Sequence, residues 1–483
     1  MPGAKVGGKR RPQVKADVAE AGQLVPSPRG VLAGRVDAGA VDTVWLAVVD
    51  AQGRLKGKEF DARFLLEKLA AGSLSPEMCG YLFDTDLAMT ASTGASLASW
   101  ESGFGDITLL PELCSARVLP WLPGTAVLLA HPITDGGLPL PVAPTTVLDE
   151  QLTRLAGLGL TVKAGLETEF VLYEGTQAAA CDVDFLGLRP LTRDNRDYAL
   201  DQSGPVSAYT RELRRVLREA GLATEAVKTE GAPGQLEVTF PYGEPVPACE
   251  GHVLFKHAAR AVADQQQLAA TFMAAPVTGT GSGLHLHLSL WNYDGQPVLA
   301  AETGSDDAGG GRELSEVGGQ AVAGLLKVLP ELGPLWAPYV NSYKRLRSHS
   351  FAPTRMVWGR DNRSCAVRVV GHGRSLHLEV RLPGADANPY FALAAAVAAI
   401  RYGIEAGLKA PEPVSGDGYA AHEAPAVPAD LARAIAAMEE SALAVELFGA
   451  DVVAHLTHLA RREVLHHQGQ VTDAERRRGF AQS

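Results

Sequence analysis

Several patterns are missing from this sequence of 483 residues, and each absence excludes a class of protein. No apolar run reaches the roughly 20 residues that a membrane-spanning helix needs. The five cysteines are scattered without a CxxC pair, which argues against a disulfide scaffold or a cysteine zinc site. Lys and Arg total 44 against 55 Asp and Glu, a net charge of −11. We therefore expect a cytoplasmic protein without nucleic-acid or membrane partners.

The sequence divides into a short tail and two unequal parts. Residues 1–30 combine Lys and Arg with Gly and Pro, and they lack both apolar periodicity and an apolar signal region, which predicts a flexible tail. Residues 31–138 alternate strand-like runs with turns, and residues 41–53 predict a strand that enters a β-hairpin turn. A Pro-rich stretch marks the boundary to residues 139–483. Helical periodicity in this larger part predicts helices over residues 147–158, 206–220, 253–268, 317–329, 389–406 and 431–447.

A pair of histidines on one predicted strand is the first candidate site. In GSGLHLHLS, which begins at Gly281, leucines alternate with His285, His287 and Ser289. Because successive strand side chains point to opposite faces, the two imidazoles share a face. Imidazole is a common metal ligand and a suitable neighbour for phosphate. An HxH pair also occurs in ordinary strands, so its interpretation depends on the other strands.

Other predicted strands repeat the pattern with carboxylates. Glu167 and Glu169 share a face in LETEF, and Glu230 precedes a Gly/Pro turn that can bring it back toward Glu237. A further strand, LHLEVRL, carries Glu379 on its polar face. A solvated outer face would explain any one of these strands. Converging on one cavity, however, the carboxylates would repel each other unless cations lay among them, and oxygen-rich sites with an imidazole suit Mg²⁺ or Mn²⁺.

Arginines follow in the segments NSYKRLR, NRSCAVR and EVRL. Arg345, Arg363, Arg368 and Arg381 could clamp carboxylate or phosphate oxygens in bidentate fashion. A metal–carboxylate cluster that faces arginines is the arrangement expected for phosphoryl transfer, where charge neutralisation and positioning supply most of the catalysis. For any single arginine, a surface salt bridge is the alternative interpretation.

In this order, the motifs resemble those of the glutamine synthetase superfamily, from about residue 40 to the C terminus. The resemblance implies an α+β protein: a small N-terminal β-grasp domain, then a large catalytic domain with a polar-lined antiparallel sheet and flanking helices. It implies a homo-oligomer of two stacked rings, a dodecamer, with each site between neighbouring subunits. It also implies an ATP-dependent reaction in which glutamate becomes γ-glutamyl phosphate and an amine displaces phosphate.

The resemblance gives each motif residue a role. It implies two or more Mg²⁺ or Mn²⁺ ions per site. Their ligands are Glu169, Glu230 and Glu237 for one ion, and Glu167, His285 and Glu379 for the second.

The remaining roles concern the substrates. Arg345, Arg381 and the Gly281 backbone are implied to bind glutamate, while Arg363 and Arg368 stabilise the transferred phosphoryl group. The residues implied to bind ATP are His287, Arg368 and Ser289.

Departures from the family pattern bear on the acceptor amine. Phe351 stands where glutamine synthetases carry a loop glutamate that helps to form the ammonium pocket, and a phenyl ring cannot bind ammonium by charge. Thr280 replaces an Asn of the glycine loop. The segment FDTDL replaces FDGSS, so that either Asp84 or Asp86 could be the amine-site acid, acting across a subunit interface. An organic amine, ethanolamine or a polyamine, is therefore expected in place of ammonium.

Alternatives to this hypothesis remain open. An ordinary glutamine synthetase that uses ammonium would fit the retained aspartates but not Phe351. A non-catalytic relative with a structural or regulatory role would have no chemical reason to keep a mutually repelling set of carboxylates together with the arginines. The favoured interpretation resembles the γ-glutamylpolyamine and γ-glutamylethanolamide synthetases of the superfamily.

Overall fold

The computed structural model of the protein describes residues 28–91, 97–301 and 313–482. Residues 1–27, most of the predicted flexible tail, lie outside the described residues. Helix α1 spans Pro28–Asp37, so its first three residues fall within the predicted tail.

A six-stranded sheet forms before residue 134, together with helix α2 (Ala62–Ala70). Its order is β2-β1-β6-β4-β3, with β5 paired to β6; the β1–β6 pair is parallel and the other pairs are antiparallel. The predicted hairpin is confirmed, because β1 and β2 pair around a turn in which Gly53 has a φ of +74°. The β-grasp class itself stays a prediction. The strands are β1 (Val41–Val49), β2 (Leu55–Asp61), β3 (Glu77–Cys79), β4 (Asp106–Pro111), β5 (Arg117–Val118) and β6 (Gly124–Ile133).

A second sheet of eight strands lies in the larger part of the chain. Its order is β12-β13-β14-β11-β7-β9-β8, with β10 paired to β7. The prediction of an antiparallel sheet holds for every pair except β12–β13, which is parallel. The strands are β7 (Leu160–Glu174), β8 (Ala226–Thr229), β9 (Gln235–Thr239), β10 (Leu268–Thr271), β11 (Leu284–Asn292), β12 (Trp358–Arg360), β13 (Val367–Val370) and β14 (His377–Val380).

Helices flank this second sheet, and each of the first five predicted helices overlaps an observed one. The prediction of one helix over residues 431–447 is wrong. The chain forms two helices there because the Ser441 hydroxyl accepts the Ala444 amide at 2.9 Å and so caps a new helix. The helices are α3 (Pro144–Ala156), α4 (Gln177–Cys181), α5 (Gly204–Glu219), α6 (Pro245–Gln265), α7 (Glu316–Val328), α8 (Gly333–Trp336), α9 (Pro389–Glu405), α10 (Leu431–Glu439), α11 (Ala442–Phe448), α12 (Ala450–Gln468) and α13 (Asp473–Gly479).

The hydrophobic core determines which face of the second sheet carries the Glu and His side chains. Leu166 of β7, Leu286 of β11 and Leu378 of β14 are buried in one cluster with the alanine-rich helix α9. Farther along β7, Phe170 packs in a second cluster that includes residues of α5 and α6. Because strand side chains alternate, burying these residues turns their Glu and His neighbours to the opposite face.

Among the described residues, no single helix is both long enough and apolar enough to cross a membrane. Within the described part of the chain, only residues 442–448 and 450–479 taken together meet the length and composition criteria, and the chain bends by 113° between them.

Candidate active site

The second sheet carries its ionisable residues in rows across neighbouring strands. Direct neighbours on adjacent antiparallel strands have their Cβ atoms about 5 Å apart, so strand pairing alone brings these side chains together. The rows are Arg368–Glu379–His287, then His285–Glu167, then Glu169–Glu237–Lys228.

These rows border a cavity of about 750 Å³. His287 and Ser289 instead line a neighbouring cavity of about 550 Å³, although they lie on the same strand as His285. Neither Asp84 nor Asp86 lines either cavity. The predicted site residues that line the larger cavity are Glu167, Glu169, Glu230, Glu237, Gly281, His285, Arg345, Phe351, Arg363, Arg368, Glu379 and Arg381.

Glu169, Glu230 and Glu237 form the first carboxylate group, with one oxygen of each within 4.8 Å of the others. Glu230 reaches the other two because the chain turns back between β8 and β9, where Gly234 has a φ of +74°. Burial and the charges of neighbouring glutamates, Glu167 first, raise the pKa of Glu237 to about 10. Burial also raises the pKa of Glu169. A cation would relieve this repulsion, and the all-oxygen donor set suits a hard divalent metal.

Glu167, His287 and Glu379 form the second group, again within 4.8 Å of one another. The sequence predicted His285 as the third member. His285 lies beside this group, with Nδ1 2.7 Å from Glu167 Oε1 and 3.5 Å from Glu379 Oε1. Both imidazoles therefore reach the second group, and which of them is the ligand stays a prediction.

The two carboxylates of the second group are held in their charged form. Burial alone would raise the pKa of Glu167, but hydrogen bonds to His285 and His287 lower it below its usual range. Burial opposes ionisation of Glu379 too, yet the charges of Arg381 and His285 lower its pKa to about 2. Carboxylates that stay ionised in a partly buried place are suitable ligands for a cation.

Two of the predicted arginines contact Glu379 of the second group, and two others line the cavity. Arg368 donates to Glu379 Oε2 at 2.9 Å, and Arg381 contacts Oε1 of the same carboxylate. Arg345 is buried and donates to the carbonyl of Leu382 at 3.1 Å. Arg363 is exposed and lines the cavity from its rim. The arginines thus face the cavity at different depths.

Two glycines leave the space that the Arg345 side chain occupies. A Cβ atom at Gly281 would lie 3.0 Å from Arg345 Cγ, and one at Gly283 would lie 2.7 Å from both Arg345 Nη2 and His285 Nε2. The Gly283 amide also donates to Glu169 Oε2 at 3.1 Å. The sequence prediction included Gly281 but missed Gly283, two residues later in the same GSG segment.

Phe351 lies at the cavity with its side chain 70% exposed and a φ of +59°. Its carbonyl oxygen accepts a hydrogen bond from Arg381 at 3.3 Å. The left-handed backbone is unfavourable for a bulky residue, and strained conformations of this kind concentrate at functional sites. The structure therefore ties the backbone of this residue to an arginine of the cavity.

The cavity residues that sequence reasoning missed include Gln235, Lys228 and Tyr198. Gln235 donates from Nε2 to Glu169 Oε2 at 2.9 Å and to the Gly281 carbonyl at 2.8 Å. Lys228 contacts Glu230 and lies over the ring of Tyr198, 4.2 Å from its centroid. Burial alone would lower the pKa of Lys228, but its bond to Glu230 and nearby carboxylates raise it. The signal for Lys228 was its position two residues before Glu230, on the same strand face.

The two candidate aspartates lie elsewhere in the same chain. Asp84 is buried, accepts the Ala98 amide at 2.9 Å and lies 3.1 Å from His455 Nδ1. Asp86 is partly exposed and pairs with Arg462 at 3.3 Å. Of the two, Asp86 is the more accessible to a neighbouring molecule, and its action across an interface stays a prediction.

Comparison with known proteins identifies the family. Residues 141–479 match the family model for the glutamine synthetase catalytic domain. The chain is 43% identical over 445 residues to gamma-glutamylethanolamide synthetase GlnA4 of Streptomyces coelicolor, covering 92% of this chain and 94% of that protein. It is 31% identical over 428 residues to glutamate–isopropylamine ligase of Pseudomonas sp., covering 88% and 92%. The solved GmaS/ADP complex is similar with a TM-score of 0.79 at 27% identity, covering 93% and 99%. The chain therefore belongs to the glutamine synthetase family and has its mixed helix-and-sheet fold.

Proposed function

We propose that this protein is an ATP-dependent ligase that joins glutamate to an organic amine through γ-glutamyl phosphate. One observation carries the proposal: two carboxylate groups and four arginines meet around a single cavity of about 750 Å³. The relatives named gamma-glutamylethanolamide synthetase and glutamate–isopropylamine ligase support an organic acceptor.

The proposed metals are two or more Mg²⁺ or Mn²⁺ ions. The first carboxylate group offers only oxygen donors, and the second adds an imidazole, which fits either ion. Bound there, the ions would neutralise phosphate charge. The residues that would hold them are Glu169, Glu230 and Glu237 in the first group, and Glu167, Glu379 and His285 or His287 in the second.

The arginines and the second cavity are assigned to the substrates. Arg345 and Arg381, deep in the larger cavity, are proposed to orient the glutamate carboxylates, and Arg363 and Arg368 the transferred phosphoryl group. The nucleotide is proposed to occupy the smaller cavity, where the ring of Trp291 offers a stacking surface beside His287 and Ser289. Arg368 and the carboxylates line the larger cavity, so a nucleotide in the smaller cavity would direct its phosphates toward them.

The acceptor pocket is proposed to lie at the rim, beside Phe351. An exposed phenyl ring favours a carbon-bearing amine over ammonium, which needs charge or hydrogen-bond acceptors. Ethanolamine and polyamines are the candidates. We further propose a cytoplasmic homo-oligomer of two stacked rings, in which Asp86 or Asp84 of a neighbouring subunit would complete the pocket. A β-grasp domain over residues 31–138 and a catalytic domain over 139–483 belong to the same proposal.

The test measures phosphate release from ATP with glutamate and Mg²⁺ in the presence of ammonium, ethanolamine, putrescine, spermidine or isopropylamine. Release that depends on one organic amine, with little for ammonium, is the expected result. A preference for ammonium would identify a glutamine synthetase instead. Omitting glutamate is the control, since it separates ligation from simple ATP hydrolysis.

A further inference from the structure

Lys228 brings an ammonium group into the first carboxylate group. It lies directly opposite Glu237 on the neighbouring strand, and its Nζ contacts Glu230 Oε1. The proposed reaction gives this lysine no role. A fixed cation beside two proposed metal ligands is therefore a feature of this site that needs its own explanation.

The same ammonium also contacts the segment before helix α5. Its Nζ lies 3.3 Å from Asp197 Oδ1 and 4.2 Å from the centroid of the Tyr198 ring. Asn195, Asp197 and Tyr198 all line the larger cavity, and Tyr198 has a φ of +55° and a 66% exposed side chain. We name residues 195–198 the cavity loop. Lys228 thus joins the cavity loop to the first carboxylate group.

A metal ion in the first group and Lys228 would compete for the same carboxylate. Two positive charges a few ångströms apart repel each other strongly where water is scarce. Lys228 has other partners within reach, because Asp197 and the face of Tyr198 already adjoin its ammonium group. Leaving Glu230 would therefore not leave the ammonium without a counter-charge.

We propose that Lys228 is a positioning residue that competes with the first metal ion for Glu230 and couples metal binding to the cavity loop. The inference rests on the proposed function, because it assumes that the first carboxylate group holds a metal ion. Metal binding would release Lys228 from Glu230, leave its ammonium to the contacts it already has with Asp197 and Tyr198, and so fasten the cavity loop more firmly when the site is loaded.

The first readout is Mn²⁺ affinity without nucleotide, measured by calorimetry on the full chain. Lys228→Met removes the charge and keeps much of the length, so the tightest Mn²⁺ site should bind about tenfold more tightly than in the wild type. Lys228→Arg keeps the charge and should stay near the wild-type affinity. The control is Lys327→Met, which removes a lysine that lies 4.0 Å from Glu331 and lines neither cavity.

The second readout is cleavage by trypsin after Arg196, inside the cavity loop. Saturating Mn²⁺ should slow this cleavage in the wild type and leave it unchanged in Lys228→Met, since that variant has no ammonium to fasten the loop. A merely structural role for Lys228 would leave Mn²⁺ affinity equal or weaker in Lys228→Met, and this result would overturn the inference. Absence of Mn²⁺ binding in the wild type would overturn the inference and the proposed metal sites together.

Discussion

Glu237 lies directly opposite Glu169 on neighbouring strands, and both carboxylates line the same cavity. Charging Glu237 costs stability in the absence of a cation, because burial and then the charges of Glu167, Glu230 and Glu169 raise its pKa to about 10. Buried carboxylates clustered in this way are typical of sites that bind a cation.

We expect Glu237→Gln to reduce amine-dependent phosphate release on the order of 100-fold or more with every amine, because it removes a proposed metal ligand. The unfolding temperature without metal should not fall, since one of several repelling carboxylates is gone. The wild type should gain about 2.7 kcal/mol of stability at a Mn²⁺ concentration 100 times Kd, and the variant should lose most of this gain. Thermal unfolding with and without Mn²⁺ measures it.

The control for this prediction is Glu219→Gln, on the exposed end of α5. It should keep both the activity and the Mn²⁺-dependent stabilisation. An unchanged response to Mn²⁺ in Glu237→Gln would remove Glu237 from the metal site.

Phe351 allows the ring and the backbone to be tested separately. Phe351→Ala removes the ring and keeps a β-carbon at a φ of +59°, whereas Phe351→Gly also removes the steric strain. Both variants should change the ranking of amines in the phosphate-release assay. Phe351→Gly should in addition be more stable than Phe351→Ala by about 1 kcal/mol. If the ranking of amines stays the same in both, the ring does not select the acceptor.

The alternating pattern of the strands carried most of the sequence prediction of the site. In β11 the buried leucines require His285 and His287 to share the other face, and in β7 Leu166 and Phe170 do the same for Glu167 and Glu169. Periodicity of two is a local property, so it can be read without knowing the fold. It does not say which strands are neighbours; the grouping of the ligands came from the resemblance to the glutamine synthetase superfamily.

Interactions between distant segments escaped the sequence. The contact of Lys228 with Tyr198 joins residues thirty positions apart, and no local pattern indicates it. Asp84 was a candidate for the amine site, but its partner His455 lies far along the chain, on α12. The break between α10 and α11 was missed for a different reason, because the apolar periodicity continues through the capping Ser441.

Glu250 predicts a pH dependence of stability. It is buried on α6, where burial and the charge of Glu112 raise its pKa to about 7; Asp149 acts in the same direction, while Arg117 and His131 oppose it. The folded state therefore binds a proton that the unfolded state releases near pH 4.5. Stability from this group is fully present below about pH 4.5 and is lost as the pH rises toward 7.

Glu250→Gln should remove this contribution, so that the variant exceeds the wild type in unfolding free energy at pH 8 by about 1–3 kcal/mol. At pH 5 the two proteins should be nearly equal. Denaturant unfolding at both pH values measures the difference. A variant that is less stable than the wild type at pH 8 would show that the Glu250 carboxylate is favourable in its charged form.

Asp86 offers a test of action between subunits. Asp86→Asn and Glu237→Gln should each lose most of the activity alone, because one lacks the proposed amine-site acid and the other a proposed metal ligand. If the acid acts across an interface, co-expressed subunits carrying the two changes should regain a measurable part of the amine-dependent activity, since some sites would combine two intact halves.

Asp84→Asn is the matched comparison: its carboxylate is buried against His455, so it should lower the unfolding temperature and behave as a folding variant. Recovery with Asp84→Asn and none with Asp86→Asn would reverse the assignment, and recovery with neither would confine the chemistry to residues of one chain.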